Sequence, residues 1–490
     1  MNDITKDTRL LPPLNSNLLA LRTHLGNTAD LSAVTVTING VRCAAVTIEG
    51  MVSSDSVGEL VFRPLMKLEN GSRISPDELM RLITEHCLMS ADRSNASTVG
   101  AAADLLFSGF VLLLVDGIPT AAALGIQGYP SKSISEPTSE NDLLSSQEAF
   151  TETVRTNMSL VRRRMRTPKL RFELVRCGKL SSTEVAIAYI EGKADSRMLE
   201  EVRKRLGSVG LDSVLGPAFL LPFLEKQSEK LLFSEVGTTE RPDMLCAGLV
   251  QGRIGILIDG APFALVCPYI FAQGFDSIDD YAAKTYFAVF IKLIRCLSFI
   301  LAAAFPGVYI AAVNYAPEML NFKLLLSLSA GERSTMLSLF TEMLTVMLLL
   351  EILREASIRL PHAIGTAVSI AGGLIIGDAA VKSGIISSPL LIVVGITATA
   401  SYVLPAFAQQ LTVLRLLFIL SGGFAGFFGI SVCAVMVTAN ICSQSFVGIP
   451  YTSPFSPLKR DRLMNVTGRK NFADLARESP TINALRPDGQ

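Results

Sequence analysis

Residues 351–381 read EILREASIRLPHAIGTAVSIAGGLIIGDAAV, a charged helix end that turns through Pro361 into a glycine-studded apolar segment. The chain before this stretch reads mainly as soluble protein, and almost all of the chain after it reads as membrane. Arg354, Glu355 and Arg359 are costly in hydrocarbon, so they belong at an interface, in a wet cavity, or paired with one another. Gly365, Gly372, Gly373 and Gly377 follow; they allow close helix approach, or a helix broken where it borders a pore. A tightly packed structural bundle and a conducting or gating element both fit this pattern.

Composition agrees with a membrane protein. Of 490 residues, 49% are hydrophobic and the mean hydropathy is +0.42, too apolar for an ordinary cytosolic enzyme. Formal net charge is zero and neither end carries a long basic run, so no nucleic-acid partner is expected. The polar opening MNDITKDTRLLPPLN has no apolar core or cleavage site, so no signal peptide is expected and the first half is placed in the cytoplasm. The 8 cysteines are scattered without a CxxC pair and the 3 histidines lie far apart, which argues against disulfides and metal sites. With no nucleophile–base set or cofactor motif either, the sequence predicts neither an enzyme nor a cofactor.

The hydrophilic half contains a duplication. Residues 34–50 give two strands ending in Ile48-Glu49-Gly50, followed by a helix through Val57, Leu60, Val61 and Leu65; residues 169–192 repeat this, ending in Ile190-Glu191-Gly192, with a helix through Met198, Val202 and Leu206. Gly109, Asp116, Gly117 and Pro119 match Gly252, Asp259, Gly260 and Pro262 at one constant offset. Two α/β subdomains of one fold are therefore expected, over roughly 35–130 and 169–270. Both Asp-Gly steps read as structural turns, not as catalytic carboxylates.

A Ser/Pro/Glu-rich linker, 130–146, leads to a bridging helix with Ser145 and Glu148 as its capping box and an apolar stripe at Phe150, Val154, Met158, Val161 and Met165. Arg162, Arg163 and Arg164 make its end strongly positive. They are candidates for assembly through an acidic surface or lipid headgroups, with a solvated helix end as the plain alternative. Asp276, Asp279 and Asp280 read as a helix start, and Asp279 and Asp280 are further assembly candidates.

Apolar stretches follow at 287–313, 336–353, 364–381, 385–405 and 411–439, the last placing Gly422 and Gly426 at close-packing spacing. The basic tail from Lys459 is kept cytoplasmic by the positive-inside rule. Two termini inside require an even number of crossings against five stretches, and the acidic helix 336–357 is the expected exception. Glu342, Glu351 and Glu355 are unfavourable against lipid, so that helix is read as a gate or vestibule wall with Arg354 as the nearest partner. The helix after Pro361, with Gly365, Val368, Gly372, Gly373 and Gly377, is read as the wall of a central passage.

The fold class is thus an α/β soluble region of two duplicated subdomains followed by an α-helical transmembrane bundle of about 4–6 helices. The divisions are 1–144, 145–282, 283–445 and a tail over 446–490.

Several motifs together resemble the GerA spore germination family, specifically the A-type subunit of a germinant receptor. They are Asn157 with Leu160–Arg164, Glu240-Arg241-Pro242-Asp243, Gly252-Arg253-Ile254 with Asp259-Gly260, Asp279-Asp280-Tyr281, Ile352-Leu353-Arg354-Glu355-Ala356 with Arg359-Leu360-Pro361, Gly365 through Val381, and Pro450-Tyr451 with Ser453-Pro454. Ala282 and Ser357 depart from the pattern, where an aromatic residue and a glycine are common. The resemblance implies a multi-pass protein of the spore inner membrane with its soluble domains and tail facing the core. It also implies a homo-oligomer acting beside a transporter-like B subunit and a lipoprotein C subunit, in contact with membrane lipid, as a nutrient-gated cation channel. A secondary transporter and a non-conducting adaptor are the competing classes. The visible duplication lies in the soluble half and not in the membrane half, which favours a channel or scaffold over a transporter.

Overall fold

The computed structural model describes residues 8–67, 73–84, 93–126, 146–225, 231–277, 279–323, 325–326, 335–359, 377–456, 458 and 481–485. Its first half is an α/β region with two sheets. Strand orders are β1-β2-β4-β5-β3 and β6-β7-β9-β10-β8, and every strand pairing is antiparallel. In the first, β1 (Leu31–Ile38), β2 (Val41–Ile48), β3 (Arg93–Ala96), β4 (Phe110–Val115) and β5 (Ala121–Gly125) combine with α1 (Leu14–His24) and α2 (Val99–Phe107). In the second, β6 (Leu170–Cys177), β7 (Thr183–Ile190), β8 (Gly237–Thr239), β9 (Ile254–Ile258) and β10 (Ala264–Cys267) combine with α3 (Val154–Arg164), α4 (Ser196–Gly207) and α5 (Pro242–Val250). The expected duplication is present, and it begins earlier than the strand motifs suggest. The bridging helix is α3, the opening helix of the second unit and the counterpart of α1.

The local chemistry of the two openings is the same. Asn17 accepts from the Leu11 amide at 2.7 Å and donates to the Leu11 carbonyl at 2.6 Å; Asn157 does the same with Thr151 at the same two distances. Asp116 accepts from the Leu14 amide and Asp259 from the Val154 amide, each at 2.9 Å. Each carboxylate thereby caps a helix start, where amide donors are open. The glycine after each aspartate has positive φ, +98° at Gly117 and +84° at Gly260, as the turn requires. Helix α3 starts at Val154 with Thr153 before it, so Glu148 caps no helix, and Ser145 lies outside the described residues.

Strand alternation in the second sheet separates two apolar layers. Ala186, Ala188 and Leu257 face Val154, Met158, Val161, Leu245 and Leu249 of α3 and α5. Val185, Ile187, Ile256 and Ile258 face Met198, Val202 and Leu206 of α4. That second layer also takes in Phe446, Ile449, Ile482 and Leu485, so the described part of the tail packs against the second repeat.

The second half is helical: α6 (Thr285–Tyr315), α7 (Leu339–Arg359), a short helix over 377–382, α8 (Ser388–Tyr402) and α9 (Ala408–Ser443). Among the described residues two segments, Thr285–Tyr315 and Pro405–Ser443, are long and apolar enough to cross a membrane. Helix α9 is not one rod. At Gly426 the backbone leaves helical geometry (φ 59°, ψ −144°), and Ile430, Cys433, Val437 and Ile441 return to the cluster formed by Leu411, Leu414 and Phe418. The arms fold back on each other, because glycine alone takes such a conformation without a Cβ penalty. Gly422 makes the expected close approach: a Cβ there would lie 2.5 Å from the Gly307 carbonyl oxygen. Gly426 makes the turn and also approaches closely, since a Cβ there would lie 2.7 Å from the Tyr315 ring.

Candidate functional site: the joint between the second repeat and the helical bundle

The arginines of α3 come first, because they set how the two repeats are held. Arg162 is buried and pairs with Asp30 of the first repeat at 2.8 Å. It also donates to the Leu170 carbonyl at 3.1 Å and lies over the rings of Phe107 and Phe172, 5.3 and 5.0 Å from their centroids. Arg155 bridges Glu49 at 2.7 Å and Glu184 at 3.0 Å, one from each repeat. Arg163 and Arg164 both pair with Glu148. Burial alone would raise the Glu148 carboxyl, but the two guanidiniums outweigh it and hold it below its ordinary value. The acidic partners expected for Arg162, Arg163 and Arg164 therefore exist, and they belong to the same chain: Arg162 fastens repeat to repeat.

Below the second sheet the chain enters α6 through residues 267–285. Lys292 reaches back to Asp276 at 2.6 Å and Arg295 to Asp280 at 2.6 Å, while Arg295 also donates to the Phe275 carbonyl at 3.0 Å. The acidic segment and the two cations at the start of the apolar helix thus neutralise each other across one turn. Asp279 lies in the short helix Asp279–Ala282, its amide donating to Ser277 Oγ at 3.3 Å.

Around this entry sits an aromatic cluster drawn from five parts of the chain, with Phe233, ahead of β8, against Phe271, Phe299, Phe407 and Tyr451. Phe271 and Phe275 come from the end of the second repeat, Phe299 from α6, Phe407 from the elbow between α8 and α9, and Tyr451 from the tail. Phe407 lies 5.4 Å from Phe271, 5.2 Å from Phe275 and 5.4 Å from Phe299, and Tyr451 lies 6.0 Å from Phe271. Offset and edge contacts at such distances add to the area the rings bury. Gly274 has to be glycine here, since a Cβ would come within 2.1 Å of the Phe407 ring. The Asn440 side chain accepts from the Leu232 amide at 3.1 Å, and Phe271 donates to the Tyr451 carbonyl at 2.9 Å. Both the first and the last helices of the bundle are therefore seated on the second repeat. No feature of spacing announces this cluster, because its members are separated by long stretches of sequence.

The gate candidates fall in two places. Glu342 is fully buried and accepts from the Ser387 amide, one of the open donors at the start of α8. It therefore does not face water in the folded chain, as a vestibule carboxylate would. Glu351 pairs with Arg354 at 2.7 Å, as expected, and also with Arg415 of α9 at 3.2 Å, which the sequence reading did not single out. Glu355 is exposed and paired with Arg359. Gly377 faces Leu391, whose methyls would meet an added Cβ at 3.8 Å, an ordinary contact. Gly365, Val368, Gly372 and Gly373 lie outside the described residues.

Comparison with known proteins gives consistent matches over most of the chain. The family model described as Bacillus/Clostridium GerA spore germination protein matches residues 20–480. The spore germination protein KA of Bacillus subtilis (strain 168) is 33% identical over 451 residues, covering 91% of this chain and 82% of that protein. The uncharacterized membrane protein YfkQ of the same organism is 32% identical over 455 residues, covering 92% and 87%. The crystal structure of the N-terminal domain of the A subunit of the Bacillus megaterium spore germinant receptor GerK3 aligns at 29% identity with a TM-score of 0.43, covering 55% of this chain and 99% of that one.

Proposed function

This chain belongs to the GerA family of Bacillus/Clostridium spore germination proteins, and on that premise we propose that it is the A-type subunit of a germinant receptor, forming an oligomeric, nutrient-gated cation channel. The role is non-enzymatic: the α/β repeats receive a signal from partner subunits and the helical bundle conducts. The partners are a transporter-like B subunit and a lipoprotein C subunit, and the bundle sits in lipid of the spore inner membrane.

The observation that carries this reading is the joint. Phe271 and Phe275 of the second repeat pack on Phe299 of α6 and Phe407 before α9, so a displacement of the repeat moves two bundle helices together. We place the α/β region and the tail together on the core side of the membrane; α6 at its start and α9 at its end both meet the second repeat, which supports one shared side. We read the fold at Gly426 as an extra pass, which makes the number of crossings even with the acidic helix 336–357 counted among them. The segment after Pro361 stays the proposed wall of the passage, on the strength of its small residues.

Deletion in the parent organism tests the receptor assignment. Spores lacking the chain should lose their response to at least one nutrient that triggers intact spores, and the chain should fractionate with the inner membrane. An unchanged response to every nutrient that triggers the parent would contradict it.

A further inference from the structure

Pro306 lies inside α6. It has no amide hydrogen, so the carbonyl of Ala302, four residues earlier, loses its helical donor. An open carbonyl inside an apolar bundle is costly and recruits another donor. Here the donor is Arg415 Nε of α9, 3.1 Å from the Ala302 oxygen. The same guanidinium donates through Nη1 to Glu351 Oε1 of α7 at 3.2 Å, and Thr412 Oγ1 donates to that oxygen at 3.4 Å. The other oxygen of Glu351 lies 2.7 Å from Arg354, one turn further along α7.

We propose that the Glu351–Arg415 pair is a releasable catch that holds α7 against α6 and α9 in the resting state; this rests on the channel reading above. Each charge has a second partner that does not depend on the catch. When α7 moves away, Glu351 keeps Arg354 on its own helix and Arg415 keeps the Ala302 carbonyl that Pro306 left open. Breaking a buried ion pair by removing one partner is costly because the remaining charge is stranded. Glu351 keeps an opposite charge in Arg354 and Arg415 keeps its hydrogen bond to the Ala302 carbonyl, so release costs less here than it would for a pair without second partners, as a switch requires.

The packing identifies α7 as the moving member. Gly307 and Gly422 lock α6 and α9 backbone to backbone, with a Cβ at Gly307 only 2.3 Å from the Phe418 carbonyl oxygen. The buried side chains of α7 are Leu339, Glu342, Met343, Val346 and Met347, all in its first half. Beyond them Leu348, Ile352 and Ile358 are exposed, and among the described residues Glu351 makes the polar contacts that tie this half of the helix to α9.

Two substitutions of opposite sign test the catch in spores that carry the full chain with its partner subunits as the sole receptor, with potassium release as the readout. Glu351→Gln removes the attraction and should raise release in buffer without nutrient by about tenfold. Pro306→Ala restores the helical donor to Ala302, so Arg415 would be stranded on release, and potassium release after addition of rich nutrient broth should slow by about tenfold. A merely structural role would impair both variants in the same direction, and that result, at normal chain levels in the membrane, overturns the proposal. Leu350 packs partly buried against the bundle cluster. Leu350→Cys, in a chain whose Cys296, Cys433 and Cys442 are serine, reads the position of α7 with the Glu351–Arg415 pair intact and without reference to conduction. Labelling by a small thiol reagent should be slow before nutrient broth and faster after it; equal rates in both states also overturn the catch. If no variant and no parent chain releases potassium, the channel reading fails, and the labelling result alone decides the catch.

Discussion

Arg162 of the second repeat and Asp30 of the first form an ion pair at 2.8 Å with side chains 1% and 2% exposed. Among the described residues it is the most deeply buried ion pair between the repeats, and the guanidinium is further occupied by the Leu170 carbonyl and two phenylalanine rings. Removing one member strands the other, so Arg162→Ala or Asp30→Ala should each destabilise the α/β region by about 3–5 kcal/mol. The double change Arg162→Met with Asp30→Leu should recover most of that loss. Thermal unfolding of the full chain in detergent measures both.

Asn17 and Asn157 predict a matched pair of effects. Each makes two hydrogen bonds to the backbone six residues before it, and truncation leaves those backbone groups open. Asn17→Ala and Asn157→Ala should each cost about 1–3 kcal/mol, with additive effects because the sites are remote. Denaturant unfolding of the single and double variants checks the additivity.

Gly307→Val should separate α6 from α9. The clash would be with the Phe418 carbonyl, a backbone atom that no rotamer change can clear, and overpacking of this kind costs about 1–3 kcal/mol. Gly395→Ala is the matched control, since an added Cβ there meets nothing within 4 Å. The chain carrying Gly307→Val should melt lower and be recovered from membranes in smaller amount, whereas Gly395→Ala should match the parent.

The α/β region should lose stability in acid through identifiable carboxylates. The Leu14 amide, and then Arg42, hold Asp116 below its ordinary value of 3.8, and the Arg163–Arg164 pair does the same for Glu148 against its ordinary 4.5. A carboxyl depressed in the folded state contributes stability that is fully present above its unfolded pKa and is lost as pH falls through the folded one. Melting temperature should therefore hold at neutral pH and fall as pH drops below about 4.5. In a chain with Arg163→Gln and Arg164→Gln, part of this acid-dependent loss should be absent and stability at pH 7 lower.

The duplication was legible in the sequence because turns conserve their chemistry within the chain: Asp-Gly between apolar strands occurs at both 116–117 and 259–260. Its true starting points were not, because Asn17 and Asn157 act on the backbone and leave no hydrophobic period. The arginine-rich end of α3 was visible as charge, but a cluster of cations does not say which carboxylate will meet it. Asp30 is brought there only by the docking of the repeats. In the bundle, glycine spacing located the close approaches at Gly422 and Gly426 but not the chain reversal at Gly426, since one residue type serves both. Arg415 was hidden for a similar reason: its requirement arises from Pro306 on another helix, and only the tertiary contact joins them.

The most direct measurement of the central claim is cation flux from liposomes containing the purified full chain and its partner subunits, read beside the oligomeric mass of the assembly. The account predicts several copies of the chain in one particle and a potassium flux that rises on addition of rich nutrient broth. A particle with one copy, or an assembled oligomer with no flux in either condition, would contradict it.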